Sequence, residues 1–171
     1  MTYRETFLTE LEREAVSNRR VLERVPEGKN SWKPHPRSME LGYLASLVAE
    51  MLGWIGMMIE EDSIDFNPPG GPPRRTQVLE GREALLRSLD AGVARAREAL
   101  SKTTDDHLET PWRILVGGHV IDEQPRHRMI RDGVLQHLAH HRGQLTVYLR
   151  LNEAMVPAIY GPSADEGPGG Q

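Results

Sequence analysis

The chain contains no cysteine among its 171 residues. This absence excludes disulfide bonds, thiolate metal ligands and a sulfur nucleophile supplied by the protein itself. Sulfur chemistry here would therefore need a thiol brought by a cosubstrate. Any metal site would have to use histidine, aspartate, glutamate or water, and seven histidines are available.

The sequence also lacks an excess of basic residues. It has 21 Lys and Arg against 25 Asp and Glu, a formal net charge of −4, whereas nucleic-acid binding needs a clustered basic face. No apolar run approaches the ~18 residues that span a bilayer, and the first residues, MTYRETFLTELERE, lack a signal-peptide pattern. We therefore expect no nucleic-acid partner, no membrane association and a cytoplasmic location.

Apolar spacing and capping residues predict four helices. Thr2 and Glu5 form a capping box for the first, which runs to about Arg24. Ser38 is the expected cap of the second, which runs to about Glu61. The third and fourth are expected over residues 78–101 and 126–152.

The connections between these helices differ in character. DSIDFNPPGGPPRRTQ shows neither helical nor strand periodicity, and it reads equally as a linker or a functional flap. PWRILVGGHVIDEQP predicts a small β-hairpin around Gly117 and Gly118. The expected fold is all-α, a four-helix bundle with this hairpin between the third and fourth helices. We expect one domain, residues 1–166, and a disordered tail, residues 167–171.

Three histidines lie together in LQHLAHHRGQL, residues 135–145. His137 and His141 are spaced i and i+4, so both fall on the face predicted to point into the core, while His140 is predicted to face solvent. The predicted inward stripe consists of Ile130, Val134, His137, His141, Leu145 and Tyr148.

Two neutral imidazoles one turn apart can bind the same divalent ion. A catalytic metal site usually needs three protein ligands and an open position. The same spacing is also compatible with two core histidines that hydrogen-bond to their neighbours. The spacing alone leaves both interpretations open.

The sequences HLAHHRGQLTVYLRLN and VPAIYGPSADE resemble the DinB (YfiT-like) family of metal-dependent enzymes. The resemblance extends back through LERVPEGKNSWKPHPRSMELGYLASLVAEMLGW and PWRILVGGHV, and covers residues 1 to about 166. It implies a four-helix bundle, often homodimeric, with one metal held by three histidines. Two of these come from the fourth helix and match His137 and His141; the third comes from the second helix.

Activities known in this wider superfamily include S-transfer with low-molecular-weight thiols and a thiol-dependent isomerisation. The resemblance therefore implies a small-molecule substrate, a divalent metal such as zinc or nickel, and an external thiol as a cosubstrate. The absence of cysteine is compatible with such a thiol.

The chain departs from the family pattern at the second-helix ligand. Where similar sequences read LASHVAE or LALHVAE, this one reads LASLVAE, so Leu47 stands at the histidine position. Three outcomes follow: a metal-free site packed by Leu47, a site of two histidines completed by water, or a site in which Glu50 supplies a carboxylate ligand. The Glu50 outcome is the least favoured, because its direction differs from that of Leu47 by roughly 60° at helical spacing.

Two functions remain as hypotheses. The first is a DinB-type metal-dependent enzyme, a transferase or hydrolase that acts on a small molecule. The second is a degenerate, metal-free homodimer that serves as a binding or structural module. Leu47 favours the second hypothesis, whereas the retained His137 and His141 favour the first.

Overall fold

The computed structural model describes residues 2–167. Residues 168–171, which belong to the tail expected to be disordered, lie outside the described residues. The helices are α1 (Tyr3–Leu22), α2 (Leu41–Glu50), α3 (Trp54–Glu60), α4 (Arg82–Lys102), α5 (Asp105–Glu109), α6 (Arg126–Met129) and α7 (His137–Leu151). The strands are β1 (Ser63–Asp65), β2 (Pro111–Val116) and β3 (His119–Pro125).

The start of α1 confirms the predicted capping box. The Thr2 hydroxyl accepts the backbone N–H of Glu5, and the Glu5 carboxylate accepts the backbone N–H of Thr2. These two bonds satisfy donors that the first helical turn cannot pair internally. Phe7, Leu11 and Val21 on the same helix are buried in the core.

The second predicted helix starts two residues later than expected and is not continuous. Ser38 does not cap it; Glu40 does so with an extended backbone and no side-chain bond. The N–H of Leu41 donates instead to the carbonyl of Trp32 at 2.8 Å, so the preceding loop satisfies the helix start. A 3₁₀ turn, Met51–Gly53, separates α2 from α3.

The segment Leu41–Glu60 corrects the expectation that no apolar run approaches membrane-spanning length. It has 20 residues, and an 18-residue window within it has a mean hydropathy of 1.5, enough to cross a membrane by length and composition alone. However, 78% of this window is buried inside the fold. The apolar character is therefore explained by its position in the core, where neighbouring helices cover it on several sides.

Helix α4 begins at Arg82, after Gly81, and not at Val78 as the sequence predicted. Gly81 has φ +81°, a conformation that glycine adopts without steric cost. Just before it, the N–H of Leu79 donates to the Ser46 hydroxyl at 2.9 Å. Residues 78–80 therefore form a loop that is hydrogen-bonded to α2, and they are not part of α4.

The predicted hairpin is confirmed, and it belongs to a three-stranded sheet ordered β1-β2-β3. β2 and β3 pair antiparallel across the Gly117-Gly118 turn, with a register shift between Ile114 and Leu115. β1 pairs parallel to β2. This strand was not predicted, because three residues are too few to show a period and its pairing partner lies some fifty positions away.

The last predicted helix is divided by a π-helical segment, Ile130–Gln136, between α6 and α7. In the helix that follows, His141 is buried, 5% exposed, while His137 is exposed, contrary to the prediction that both point into the core. His140 is exposed, as predicted.

The molecule is mostly helical, with 55% of its residues in helices and 10% in strands. The described helices differ from the four continuous helices that were expected. The second predicted helix is divided into α2 and α3, the fourth predicted helix is divided into α6 and α7, and α5 was not predicted. A single apolar core joins α1, α2, α3, α4 and α7. One side of this core opens into a cavity.

Candidate active site

The cavity has a volume of about 640 Å³ and lies beside α2, α3, the sheet and the start of α7. Leu47 and Trp54 contribute to its wall from the helices, and Ile64 and Ile114 from the sheet. Residues 74–76 of the Pro/Gly-rich connection also line it, and Arg74 and Arg75 are exposed where it meets solvent. His137 and His141 are both in the wall, so the structure brings the two predicted site residues to a small-molecule-sized space.

The imidazoles of His137 and His141 face each other. Their Nε2 atoms are 2.8 Å apart, a hydrogen-bonding distance. On its other side, the Nδ1 atom of His141 lies 2.8 Å from the side-chain carbonyl oxygen of Gln144. A carbonyl can only accept, so His141 carries its proton on Nδ1 and presents the lone pair of Nε2 to His137. Gln144 therefore fixes the tautomer of the buried histidine.

The environment keeps His141 neutral. Burial lowers the pKa of His141, the hydrogen bond to Gln144 opposes this, and the charges of His137 and His140 lower the pKa further. A neutral imidazole with its lone pair on Nε2 is the form that binds a metal or accepts a proton, and here that lone pair accepts a hydrogen bond from His137. His141 is prepared for either role.

The position at which a third histidine ligand was expected is apolar in this chain. Leu47 lines the cavity with the two histidines and is 6% exposed. Within residues 2–167, no three His, Asp or Glu side chains form a group that could hold a metal ion. The 2.8 Å between the two Nε2 atoms is also shorter than the roughly 3.4 Å expected for two nitrogens of one tetrahedral zinc.

Glu50, the residue considered as a substitute ligand, lies in the same cavity but has another partner. Its carboxylate accepts a hydrogen bond from the Thr76 hydroxyl of the Pro/Gly-rich connection. Burial raises the pKa of Glu50, and this hydrogen bond only partly opposes the effect. The residues present therefore fit two positions of a metal site and leave the third without a protein donor.

A buried ion pair next to the site was not anticipated from the sequence. Arg142, 2% exposed, pairs with Glu14 of α1 at 2.6 Å and donates to Asn18 at 2.9 Å. It also donates to the hydroxyl of Tyr160, which in turn donates to Glu14 at 3.0 Å. Local spacing gave no signal for it, because Glu14 and Arg142 lie more than a hundred positions apart in the sequence.

The tail after α7 packs against α1. Ser163 donates to the Val156 carbonyl and accepts the N–H groups of Asp165 and Glu166. Glu166 pairs with Arg20 and Arg24, both on the α1 side. Ser163 thus shapes the tail and lies outside the cavity wall.

The model of the DinB family matches residues 1–168. The chain belongs to the DinB family. Two solved structures share this DinB-like fold. A DinB-like protein from Bacillus cereus ATCC 10987 superposes with a TM-score of 0.68 at 22% identity, over 91% of this chain and 97% of that one. The DinB-like protein YjoA from Bacillus subtilis gives 0.63 at 16% identity, over 91% and 99%.

No curated protein matches the chain in sequence. At these identities the two DinB-like structures establish the fold alone. The DinB membership predicted from the HxxxHRGQ and IYGPSADE sequences is confirmed, and the motif residues now have positions. His137 and His141 lie at the cavity, whereas Arg142 and the tail hold the helices beside it.

Proposed function

We propose that this protein is a DinB-type enzyme, a transferase or hydrolase, that acts on a small molecule bound in the cavity. The observation that carries the proposal is the pair of facing Nε2 atoms of His137 and His141 in the wall of an otherwise mainly apolar space. Apolar pockets with a few convergent polar groups are the usual setting for small-molecule chemistry.

We further propose that these two imidazoles hold a divalent ion, zinc or nickel, whose other positions go to water or to the ligand. When bound, such an ion polarises a carbonyl or lowers the pKa of a coordinated water or thiol. The side chains of the protein have roles of their own that do not depend on the ion. Gln144 keeps the Nε2 lone pair of His141 directed at the cavity, and the apolar wall excludes bulk water from the ligand.

The chain has no thiol of its own. If the reaction transfers sulfur, a low-molecular-weight thiol must enter the cavity as a cosubstrate. The mouth beside residues 74–76 is a route for it. The expected homodimer, the cytoplasmic location and the absence of a nucleic-acid partner stay predictions.

Metal titration of protein purified without an affinity tag tests the proposal. Calorimetry with zinc and with nickel should show one site, lost in His137→Ala and in His141→Ala and retained in the exposed control His119→Ala. Leu47→His should supply the third ligand and tighten metal binding by at least about tenfold, since even residues that only support metal ligands typically change metal affinity by that factor.

A second function is favoured by one observation, the leucine at the third ligand position. In that case the protein is a metal-free binding module, and the histidine pair is joined by a simple hydrogen bond. Wild type that binds neither zinc nor nickel, together with a Leu47→His variant that binds, would establish the second function and reject the first.

A further inference from the structure

The cavity wall is made of adaptable apolar side chains. Four of the seven methionines line it, together with four aromatic residues. Methionine side chains are flexible and polarisable, so they adjust to ligands of irregular shape. The volume, about 640 Å³, lies within the range of about 300–1,000 Å³ typical of small-molecule pockets. The body of the ligand should therefore be apolar.

The charge at the mouth is positive. Arg74 and Arg75 both line the cavity and are exposed. Among residues 2–167, neither arginine forms an ion pair. The acid that shares the cavity, Glu50, is occupied by the Thr76 hydroxyl. Two exposed guanidinium groups thus line the cavity outside the ion pairs of the described residues. The acid near them is Asp65; burial raises its pKa, but backbone N–H groups of Asn67, Gly118 and Gly117 and the charge of Arg74 lower that pKa overall.

The segment that carries these arginines is fixed on both sides. The N–H of Arg74 donates to the carbonyl of Phe66 at 2.9 Å, Thr76 is bonded to Glu50, and the N–H of Leu79 donates to the Ser46 hydroxyl. A backbone held at three points keeps both guanidinium groups over the mouth. Preorganisation of this kind lowers the entropy lost when a ligand binds.

We propose that the cavity binds an amphipathic carboxylate, with its apolar chain or ring against the methionine-rich wall and its carboxylate on Arg74 and Arg75. Guanidinium groups recognise a planar carboxylate through paired N–H donors. The inference names the ligand class of the enzyme proposed above and rests on that function for its biological meaning. The binding itself requires neither His137 nor His141.

Calorimetry with octanoate and decanoate on the full chain tests the ligand class. Decanoate should bind roughly 15-fold more tightly than octanoate, because each buried methylene contributes about fourfold. Octan-1-ol and octylammonium, which share the chain and lack the carboxylate, should bind more weakly than octanoate. Raising the salt concentration should weaken octanoate binding and leave octan-1-ol binding unchanged.

The double variant Arg74→Gln, Arg75→Gln should weaken decanoate binding by at least about fivefold. Arg87→Gln, an exposed arginine on α4 outside the cavity wall, is the matched control and should bind like wild type. Equal binding of octanoate and octylammonium, or an unchanged affinity in the double variant, would overturn the inference.

The same titration separates this inference from the proposed function. Decanoate should bind wild-type protein treated with a chelator as tightly as untreated wild type, because the arginines and the apolar wall need no metal. If zinc binds through the histidines and decanoate does not bind at all, the ligand class is wrong while the metal site stands. If decanoate binds as expected and neither zinc nor nickel binds, the proposed ligand class is supported and the proposed metal-dependent chemistry is rejected.

Discussion

Glu50 is an acid held in an apolar cavity without a cation to pair with it. Burial raises the pKa of Glu50 above its ordinary value of 4.5, and the Thr76 hydroxyl opposes this only in part. The folded chain therefore keeps this proton at pH values where the unfolded chain has lost it. The stability contributed by the protonated form is present at low pH and is lost as pH rises from 4.5 through the raised pKa.

Glu50→Gln should consequently be more stable than wild type at pH 8, and the difference in Tm should shrink as pH falls towards 5. Glutamine keeps an oxygen for Thr76 and cannot ionise. Thermal unfolding followed by circular dichroism at several pH values measures the difference. The exposed Glu23→Gln is the control and should show the same small difference throughout. A Tm difference between Glu50→Gln and wild type that does not change with pH would show that burial does not raise the pKa of Glu50.

The candidate site was only partly predictable at the level of single residues. Spacing within α7 brought His137 and His141 together, because neighbours at i and i+4 are set by local geometry. Their unequal burial was missed, since it depends on which distant parts of the chain cover each histidine. Glu50, Arg74 and Thr76 meet only through long-range folding, and no local pattern could place them at one cavity.

Among the helices and strands, the features set by adjacent residues were predicted correctly, and the features set by residues distant in sequence were not. The capping box fixed the start of α1, and Gly117-Gly118 fixed the hairpin turn, because both depend on adjacent residues. The start at Leu41 was missed because a carbonyl of the preceding loop, on Trp32, takes the place of a capping side chain. The interruption of the last helix was missed because its apolar positions, Ile130 and Val134, fit an α-helical period as well.

Arg142 joins three elements: α7 through its own backbone, α1 through Glu14 and Asn18, and the tail through Tyr160. Its ion pair is buried and fully hydrogen-bonded. Arg142→Ala should therefore lower the free energy of unfolding by about 3–5 kcal/mol, since it leaves the Glu14 carboxylate buried without a partner.

Urea denaturation measures this loss. Arg150→Ala provides the control, because Arg150 on the same helix pairs with Asp165 at the exposed surface and should cost no more than about 1 kcal/mol. A double variant, Arg142→Leu with Glu14→Leu, should recover part of the stability by removing both charges. Similar losses for Arg142→Ala and Arg150→Ala would mean that the ion pair is hydrated in solution.

For the molecule as a whole, the DinB-like fold is retained at 16–22% identity to the two solved structures even though a leucine stands at one expected ligand position. The fold therefore does not depend on a complete three-histidine site in this chain. What α1, α4 and α7 share is a closed apolar core, in which Leu11, Leu100 and Leu145 have no exposed surface. The cavity lies at one side of this core, and the two regions should respond differently to the same substitution.

Leu44 and Leu47 allow this comparison on one helix, one turn apart. Leu44 is fully buried in the closed core, whereas Leu47 lines the cavity. Leu44→Ala should lower the free energy of unfolding by about 2–5 kcal/mol, because it leaves an empty space that its neighbours fill only in part. Leu47→Ala should cost at least about 1 kcal/mol less, since it only enlarges a space that already exists.

Urea denaturation of both variants, with the slope as a check on two-state unfolding, gives the comparison. Decanoate provides an independent reading, because the enlarged cavity of Leu47→Ala should still bind it, and bound ligand raises the apparent stability by mass action. Equal losses for the two leucines would mean that the cavity is closed in solution and that Leu47 is an ordinary core residue. In that case His137 and His141 would have no space in which to meet a substrate.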